Sequence, residues 1–339
     1  MILPSEKRKI LFSFRKKINR FAALAVITLA LGAGSSAFAA GGEYGVLMKT
    51  LANPFWGAMA MGVEDGAKAA GVPYFVQAVE SDQAAESQLN VCNTMLERKP
   101  VAMITAAINS TNLLPCLKSA QAAGIKVADL DGNLDPAILA KEGITIAFRI
   151  GSDNVKAGGK AATYMVSQLG ANATGPVLVI EGLSGNVTGQ KRVSGFAAKL
   201  AELAPGLKIV ASLPGDWDRG KAASITNDIL IRNPDLVGIF AANDGMALGA
   251  VESVFAAGKG GKVVIIGVDG NSDAVKSIKA GRLSASVAQL PYLVGKQAVE
   301  NMQKALAGEQ VPADITVPTL VLTKAVMDAG TEPMLKFVK

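Results

Sequence analysis

The chain has 339 residues, of which half are hydrophobic and 18% are charged, so it can bury large apolar cores and should form two or three domains. It contains no histidine, which excludes any mechanism that needs an imidazole base or a histidine metal ligand. The formal net charge of +6 suggests a polyanionic partner, but the distribution of the charge argues against one.

The N-terminal segment carries the excess of positive charge. Residues 1–20 hold seven bases and one acid, Glu6, and are followed by an uncharged stretch from Phe21 to Gly34 and an A-x-A site at residues 37–39. This order is typical of a cleavable secretory signal over residues 1–39, and a retained membrane anchor is the alternative. Removal of the signal takes away seven bases and one acid, so the 34 bases and 28 acids of the full chain become equal in number. The mature protein is then neutral, and a nucleic-acid partner loses its electrostatic basis.

Apolar runs of strand length alternate with longer amphipathic stretches, which predicts βαβ units around parallel sheets buried on both faces. The predicted strands of the first half are YGVLM, VPYFVQAV, VAMITAA and IKVADL, with helices from Pro54, through Gln88 and Leu96, and from Asn112. The pattern restarts with ITIAFRI, PVLVIEG, LKIVASL, LVGIFAA, VVIIGVDG and SASVAQL, with helices from about Asn154, Gly189, Arg219, Asp244 and Ser272. Gly71, Gly124 and Gly258 follow predicted helices and suit left-handed C-terminal caps.

Two segments of the chain end in the same way. VADLDGN (127–133) and IIGVDGN (265–271) are apolar strands that run into Asp-Gly-Asn. Ligands of open α/β sheets bind beyond the carboxyl ends of the strands, where Asp131 and Asp269 lie. The matching positions of these two acids predict two similar lobes that face each other. Two ordinary Asp-Gly turns are the alternative interpretation.

An enzymatic function finds little support in the motifs. The loop GLSGNVTG (182–189) follows a strand and opens a helix, but its glycine spacing differs from that of a dinucleotide-binding loop. Tyr292 and Lys296 have the spacing used by short-chain dehydrogenases, a pair that also occurs by chance. No P-loop, Cys-x-x-Cys motif, G-x-S-x-G elbow or metal-ligand cluster occurs in the sequence. We therefore expect no catalytic residue, no metal and no cofactor.

Polar and aromatic residues gather at predicted strand ends and helix starts. Asp, Asn, Arg and Gln can donate to and accept from hydroxyls, and aromatic rings can cover the C–H faces of carbohydrates. Each residue taken singly also has an alternative without a binding role. Phe55 and Trp56 can belong to the core, Trp217 can lie on the surface, and Arg192 can be an exposed charge on a helix. The predicted ligand-binding residues are Lys49, Asn53, Phe55, Trp56, Asp131, Arg192, Trp217, Asn243, Asp269 and Gln289.

These residues lie in a series of short motifs that covers the mature chain. The motifs are NPFW (53–56), LD (130–131), SDN (152–154), EGLSGN (181–186), KRVSGF (191–196), DWDR (216–219), ANDGMALGA (242–250), GVDG (267–270) and AQLP (288–291). In type and order they resemble the ribose-type periplasmic sugar-binding proteins of ABC importers. MKTLANPFW and DWDR are most similar to the D-allose-binding branch of that family.

The resemblance implies the type I periplasmic binding protein fold, an α/β fold of two doubly wound parallel-sheet lobes joined by a three-segment hinge. The implied N-terminal lobe comprises residues 40–152 and 290–318, and the C-terminal lobe comprises residues 153–289 and 319–339. The implied crossings lie near Ser152-Asp153, Gln289-Leu290 and Pro318-Thr319. Phe55, Trp56 and Trp217 should sandwich a sugar, and Lys49 and the other polar residues of the set should bond its hydroxyls.

The resemblance also implies the partners of the protein. It should be a periplasmic monomer that binds a monosaccharide and delivers it to ABC permease subunits, with a chemoreceptor as a further candidate partner and no nucleic acid. Gly132 departs from the family pattern, because ribose binders carry Arg and allose binders carry Glu at this place. The missing polar group leaves the sugar open, including a ketohexose or a linear polyol.

Cys92 and Cys116 are the only cysteines of the chain, and secretion would place them where a disulfide can persist. In a sheet with strand order 2-1-3-4, the helices after strands two and three lie on one face, and each of these helices carries one cysteine. We therefore expect a disulfide, and two separate buried thiols are the alternative.

Two other functional classes compete with sugar transport. Sugar-responsive transcription regulators share this fold but begin with a basic helix-turn-helix, where this chain has the predicted signal. A secreted sugar-modifying enzyme would need an acid and base constellation, which the motifs do not provide.

Overall fold

The computed structural model describes residues 42–338, which form two α/β lobes, each built on a six-stranded sheet. The predicted fold class is confirmed. The predicted signal at residues 1–39 and its cleavage site lie outside the described residues. Within the described range, none of the helices is long and apolar enough to cross a membrane.

The first sheet is entirely parallel. Its strands are β1 (Tyr44–Thr50), β2 (Tyr74–Val79), β3 (Ala102–Thr105), β4 (Lys126–Leu130), β5 (Phe148–Ser152) and β11 (Asp314–Val317). Their spatial order is β11-β5-β4-β3-β1-β2. This order contains the predicted sequence 2-1-3-4.

The second sheet repeats this arrangement. Its strands are β6 (Gly175–Glu181), β7 (Leu207–Pro214), β8 (Gly238–Ala241), β9 (Val264–Asp269), β10 (Ala285–Ala288) and β12 (Leu320–Leu322). Their order is β12-β10-β9-β8-β6-β7, with β12 antiparallel to β10 and the other pairs parallel. The interior strands β3 and β8, which have parallel neighbours on both sides, are buried at every residue, as parallel strands covered by helices on both faces must be.

The helices that cover the two sheets are α1 (Pro54–Ala70), α2 (Ala85–Glu97), α3 (Leu114–Ala122), α4 (Pro136–Lys141), α5 (Asn154–Leu169), α6 (Val187–Leu203), α7 (Arg219–Arg232), α8 (Asp244–Ala256), α9 (Ser272–Lys279), α10 (Pro291–Leu306) and α11 (Lys324–Ala329). A 3₁₀ turn follows at Pro333–Phe337. Gly71, Gly124 and Gly258 have φ values of 66°, 73° and 68°, which confirms the predicted left-handed caps.

The sequence pattern does not predict the helices α4, α10 and α11 or the strands β11 and β12. The two strands have only four and three residues, too few to show a period. The helix predicted from Asn112 begins at Leu114, because the Asn109 side chain accepts from the backbone N–H groups of Thr111 at 2.9 Å and Asn112 at 2.8 Å. These two bonds hold a turn at the place where the sequence predicts the start of the helix.

The helices α5 and α6 pack closely because glycines face the contact. A Cβ added at Gly158 would lie 1.9 Å from the backbone oxygen of Arg192, and one at Gly195 would lie 2.1 Å from that of Val155. No other residue type fits these two places without moving a helix. The close contact brings Asn154, the first residue of α5, beside Arg192.

The chain passes between the two sheets three times. At residues 152–154 it leaves β5 and enters α5, which packs against β9 and β10 of the second sheet. At residues 288–291 it leaves β10 and enters α10, which packs against α1 of the first lobe. At residues 317–320 it passes from β11 in the first sheet to β12 in the second.

Cys92 on α2 and Cys116 on α3 form a disulfide in the structure. Both residues are completely buried in one cluster with Leu47, Met103 and Leu117. The crosslink joins the two helices on one face of the first sheet.

Replacing both cysteines by alanine should lower the free energy of unfolding by about 3 kcal/mol, the chain-entropy value for a crosslink of this span. Urea unfolding of the oxidised protein and of the Cys92→Ala/Cys116→Ala variant measures the difference. Reduced wild-type protein serves as the control and should unfold at the midpoint of the variant. Equal midpoints for the oxidised protein and the variant would contradict this prediction.

Candidate functional site

A cleft lies between the lobes, where strands of both sheets end. Nine of the ten residues predicted from the sequence line it. The lining residues are Lys49, Asn53, Phe55, Trp56, Asp82, Asp131, Thr188, Arg192, Trp217, Asn243 and Asp269. Gln289, the tenth predicted residue, is buried beside Asp269 and donates from Nε2 to its Oδ1 at 2.6 Å.

The first lobe contributes a buried cation and a buried carboxylate. Lys49 at the end of β1 and Asp131 just after β4 are 4% and 5% exposed, and Lys49 Nζ lies 3.6 Å from Asp131 Oδ2. The same Nζ lies 4.8 Å from the ring centroid of Trp56, within cation–π range. Each of these two buried side chains is therefore paired with the other, and the pair offers donors and acceptors to a ligand.

The start of α1 supplies a polar group and two aromatic rings. Asn53 caps the helix, and its Oδ1 accepts from the backbone N–H of Phe55 at 3.1 Å. This bond leaves the Asn53 amide group to donate. The rings of Phe55 and Trp56 meet edge to face, with centroids 4.8 Å apart.

Asp82 is a lining residue that the sequence reasoning missed. It lies in the loop between β2 and α2, and its Oδ1 accepts from Trp56 Nε1 at 3.0 Å. Burial raises the pKa of its carboxyl, against the opposing effects of Lys49 and the Trp56 donor. Asp82 lies three residues beyond the end of β2, so no strand-end pattern indicates it.

Arg192 is held rigidly in the second lobe. Its Nε donates to Asn154 Oδ1 at 2.8 Å and its Nη1 donates to the Ala242 carbonyl oxygen at 2.7 Å. Nη1 also lies 3.4 Å from Asp269 Oδ1. Asn154 has no predicted ligand role, and its position beside Arg192 depends on the helix contact at Gly158.

The Trp217 ring packs against two glycines of the loop 182–189. A Cβ added at Gly182 would lie 2.1 Å from the ring, and one at Gly189 would lie 3.0 Å from it. This glycine-rich loop therefore accommodates an aromatic ring in the second lobe. Arg192 Cζ lies 5.8 Å from the ring centroid, within the outer limit of a cation–π contact.

Several non-glycine residues around the cleft have positive φ. The values are 68° at Asp131, 63° at Trp217, 133° at Asp269 and 57° at Leu290. Such conformations cost about 1–3 kcal/mol each and persist where the surroundings enforce them. At Asp131, for example, the backbone N–H donates to the Ile150 carbonyl oxygen at 2.9 Å. The strain therefore lies where the two strand-end carboxylates are presented.

Asp244, the first residue of α8, is completely buried near Asp269. Its Oδ2 accepts from the backbone N–H groups of Gly270 and Asn271, each at 2.8 Å, and its Oδ1 accepts from the Ser286 hydroxyl at 2.6 Å. Burial raises the pKa of Asp244 to about 7 despite these bonds. Burial also raises the pKa of Asp269, against the opposing effect of Arg192.

Asn186 and Gln83 each make a hydrogen bond from one lobe to the other, away from the chain crossings. Asn186 caps α6 through Oδ1, which accepts from the Gly189 N–H at 3.0 Å, while its Nδ2 donates to the Ile108 carbonyl oxygen of the first lobe at 3.2 Å. Gln83 Nε2 donates to the Asp216 carbonyl oxygen at 3.4 Å. The motif EGLSGN contains Asn186, but nothing in the sequence distinguishes this bridging role from an ordinary helix cap.

The Tyr292–Lys296 pair lies outside the cleft. Both residues are on α10, which packs against α1, and the Tyr292 hydroxyl donates to Asp65 Oδ2 at 2.7 Å. Among residues 42–338, no group of three or more acidic or sulfur-bearing side chains is arranged to hold a metal ion. What the cleft offers chemically is a set of donors, acceptors and aromatic faces.

Comparisons with known proteins agree on one family. A family model described as a periplasmic binding protein domain matches residues 44–310. The chain is 39% identical to the D-allose-binding periplasmic protein of Escherichia coli (strain K12) over 281 residues, or 83% of this chain and 89% of that protein. It is 33% identical to the ribose import binding protein RbsB of Bacillus subtilis (strain 168) over 280 residues, or 83% of this chain and 87% of that protein.

A solved structure supports the same relationship. It is an ABC transporter periplasmic solute-binding protein from Actinobacillus succinogenes 130z with bound D-allose, which matches this chain with a TM-score of 0.81 and 33% sequence identity. The match covers 85% of this chain and 99% of that one. These relatives are named as binding proteins and not as enzymes.

Gly182→Ala should displace the Trp217 ring, because the added methyl would overlap it. We expect a shifted fluorescence emission from Trp217, measured in a Trp56→Phe background where it is the only tryptophan. Gly57→Ala is the matched control, since nothing lies within 4 Å of a Cβ added there. Emission of the Gly182→Ala protein identical to that of its parent would contradict the packing described here.

Asp244→Asn should reduce the pH dependence of stability. With its pKa raised to about 7 in the folded state, Asp244 retains a proton that the unfolded chain releases near its ordinary pKa. Its stabilising contribution is therefore complete below about pH 4 and is lost as the pH rises through about 7. Urea unfolding across this window should show the wild-type free energy falling relative to that of the variant. A difference that stays constant or grows with pH would show that the folded-state pKa is not raised.

Proposed function

The chain belongs to the periplasmic binding protein domain family, and we propose that it binds a neutral monosaccharide or polyol in the cleft and presents it to an ABC importer. One observation carries this proposal: two buried ion pairs and three aromatic rings converge from two lobes on one cleft. Ion pairs and amides match hydroxyls as donors and acceptors, and aromatic rings match C–H faces. The two cations are each paired with a carboxylate, which favours a ligand without charge.

The predicted residues take two roles in this proposal. Phe55, Trp56 and Trp217 cover the faces of the sugar, and the polar residues bond its hydroxyls. The polar residues are Lys49, Asn53, Asp131, Arg192, Asn243, Asp269 and Gln289. Gln289 supports this assignment, because its Oε1 is buried and has no hydrogen-bond partner among residues 42–338. A buried acceptor of this kind costs about 1–3 kcal/mol when left unpaired, and a ligand hydroxyl would satisfy it.

We propose that the lobes move as two bodies about the three crossings. The N-terminal body would comprise residues 40–152 and 290–318, and the C-terminal body residues 153–289 and 319–339. Phe55, Trp56 and Asp131 lie in the first, while Arg192 and Asp269 lie in the second. An open form offers a ligand only half of these contacts, so the ligand favours the closed form.

The closed form is what a membrane partner would recognise. We propose that ABC permease subunits bind the loaded monomer and that a chemoreceptor can use the same closed surface. Delivery to this partner requires export, which the predicted signal would direct, with the mature chain beginning at Ala40. The ligand itself is released to the permease unchanged.

A thermal-shift panel of D-allose, D-ribose, D-fructose and D-sorbitol tests this function on the mature protein. D-allose should raise the melting temperature progressively with its concentration, because a ligand of the native state alone stabilises it by mass action. A larger shift with D-fructose or D-sorbitol would support the same function with the ligand change suggested by Gly132. The absence of a shift with any neutral monosaccharide or polyol would contradict the proposal.

Asp269→Asn should lower the affinity for the sugar about thirtyfold, because it removes a charged acceptor from a buried hydrogen bond. Titration calorimetry measures the change. Glu252→Gln is the control: Glu252 pairs with Arg219 on the surface, with its side chain half exposed, and its loss should leave the affinity unchanged. An Asp269→Asn protein that binds as tightly as wild type would remove Asp269 from the site.

Asn186→Ser should speed dissociation of the sugar about fivefold, since serine keeps a capping oxygen for α6 but loses the bond to Ile108. Stopped-flow fluorescence measures the rate. Asp218→Ser replaces the cap of α7. Within residues 42–338 the Asp218 side chain makes no hydrogen bond to the other lobe, so this variant should leave the rate unchanged. Equal dissociation rates for Asn186→Ser and wild type would show that the bond does not hold the closed form.

A further inference from the structure

The Asp269 carboxylate depends on its surroundings for its position. Its φ of 133° is rarely adopted by a residue with a side chain. Gly270 follows Asp269 directly, and Gly267 lies two residues before it. Its Oδ1 receives Gln289 Nε2 at 2.6 Å and Arg192 Nη1 at 3.4 Å. These bonds orient the carboxylate only if the backbone beneath it is fixed.

Asp244 fixes this backbone by bonding the turn that follows Asp269. Its Oδ2 accepts from the backbone N–H groups of both Gly270 and Asn271. Its Oδ1 accepts from the Ser286 hydroxyl, whose oxygen also accepts from the Gly270 N–H at 3.0 Å. Asp244 and Ser286 are both completely buried. The turn is thus tied to α8 on one side and to β10 on the other.

Gly267 in β9, the strand that ends at Asp269, leaves room for the Asp244 carboxylate and its bonds to Gly270, Asn271 and Ser286, which together are called the clasp. A Cβ added at Gly267 in β9 would lie 2.3 Å from Asp244 Oδ1, so a side chain there would push the carboxylate away from Ser286. Asp244 is not among the residues that line the cleft, although Asn243, the cap of the same helix, is. The start of α8 therefore carries one cleft residue and, next to it, a residue directed at the Asp269 turn.

We propose that Asp244 is the positioning residue for Asp269: it clasps Gly270 and Asn271 and so fixes the direction in which the Asp269 carboxylate meets the ligand, without contacting the ligand. This inference rests on the proposed function, because it assigns Asp244 a role in sugar binding.

Amide hydrogen exchange of the ligand-free protein tests the clasp itself. The amides of Gly270 and Asn271 should exchange slowly in wild type. In Asp244→Ala they should exchange at least about tenfold faster, because both amides lose the one carboxylate oxygen, Oδ2, that accepts from them, while amides within α8 keep their protection. Unprotected exchange of Gly270 and Asn271 in wild type would overturn the proposal.

A double-mutant cycle with D-allose as the probe tests the positioning role. Asp244→Ala, which removes the acceptor of both backbone N–H groups, should lower the affinity about tenfold in wild type but less than about twofold in an Asp269→Asn background, since two residues that act through one group are not additive. An equal loss in both backgrounds would mean that Asp244 acts independently of Asp269, and would overturn the proposal. Ser286→Ala removes the bond from the Ser286 hydroxyl to Asp244. It should show the same non-additivity with a smaller loss of affinity, and it replaces the Asp244 variant if that variant is unstable.

Ser253→Ala is the matched control for stability. Ser253 is buried on the same helix and donates to the Ala223 carbonyl oxygen at 2.9 Å, away from the cleft lining. It should lower the melting temperature and leave the affinity for D-allose unchanged. If wild-type protein does not bind D-allose, that result counts against the sugar named in the proposed function, and hydrogen exchange at Gly270 and Asn271 still decides whether the clasp exists.

Discussion

Each lobe carries a buried cation that must be paired with a carboxylate, and much of the structure near the cleft follows from this requirement. An unpaired buried charge is strongly destabilising, so Lys49 needs Asp131 and Arg192 needs Asp269. Both carboxylates are presented from strand ends with positive φ, where parallel sheets leave room for a ligand. The glycine contact between α5 and α6 brings Asn154 to Arg192. Because each buried cation requires its carboxylate partner, each lobe holds its part of the cleft, here called a half-site, in a fixed arrangement.

The fold could be predicted from the sequence because its strands are buried on both faces and read as apolar runs between amphipathic helices. The strand-end acids Asp131 and Asp269 could be predicted for the same reason, since a strand end is a local signal. Asp82 and Asn154 could not, because their places in the site arise from tertiary contacts with Trp56 and Arg192. The glycines of the loop 182–189 show the same limit. Their spacing excludes a dinucleotide loop, but only the structure shows that they make room for the Trp217 ring.

Under the proposed function, the division of contacts between the lobes would make ligand binding favour the closed form. Moving a two-state population from 1:99 to 99:1 takes about 5.5 kcal/mol of differential affinity, which several buried hydrogen bonds made only in the closed form can supply. Asn186 adds a direct bond between the lobes at the start of α6, the helix that carries Arg192. Asp244 fixes the turn after Asp269 on the same side of the cleft. In the proposed mechanism, capture and closure would therefore involve the same short segments of the second lobe.

Small-angle X-ray scattering of the mature protein, with and without the sugar that gives the largest thermal shift, tests the central claim most directly. If the ligand brings the two half-sites together, the radius of gyration should fall on saturation, and Asp269→Asn should require more sugar for the same change. A scattering curve that does not change at a sugar concentration shown by calorimetry to saturate the site would contradict closure, and would leave two half-sites that bind without moving.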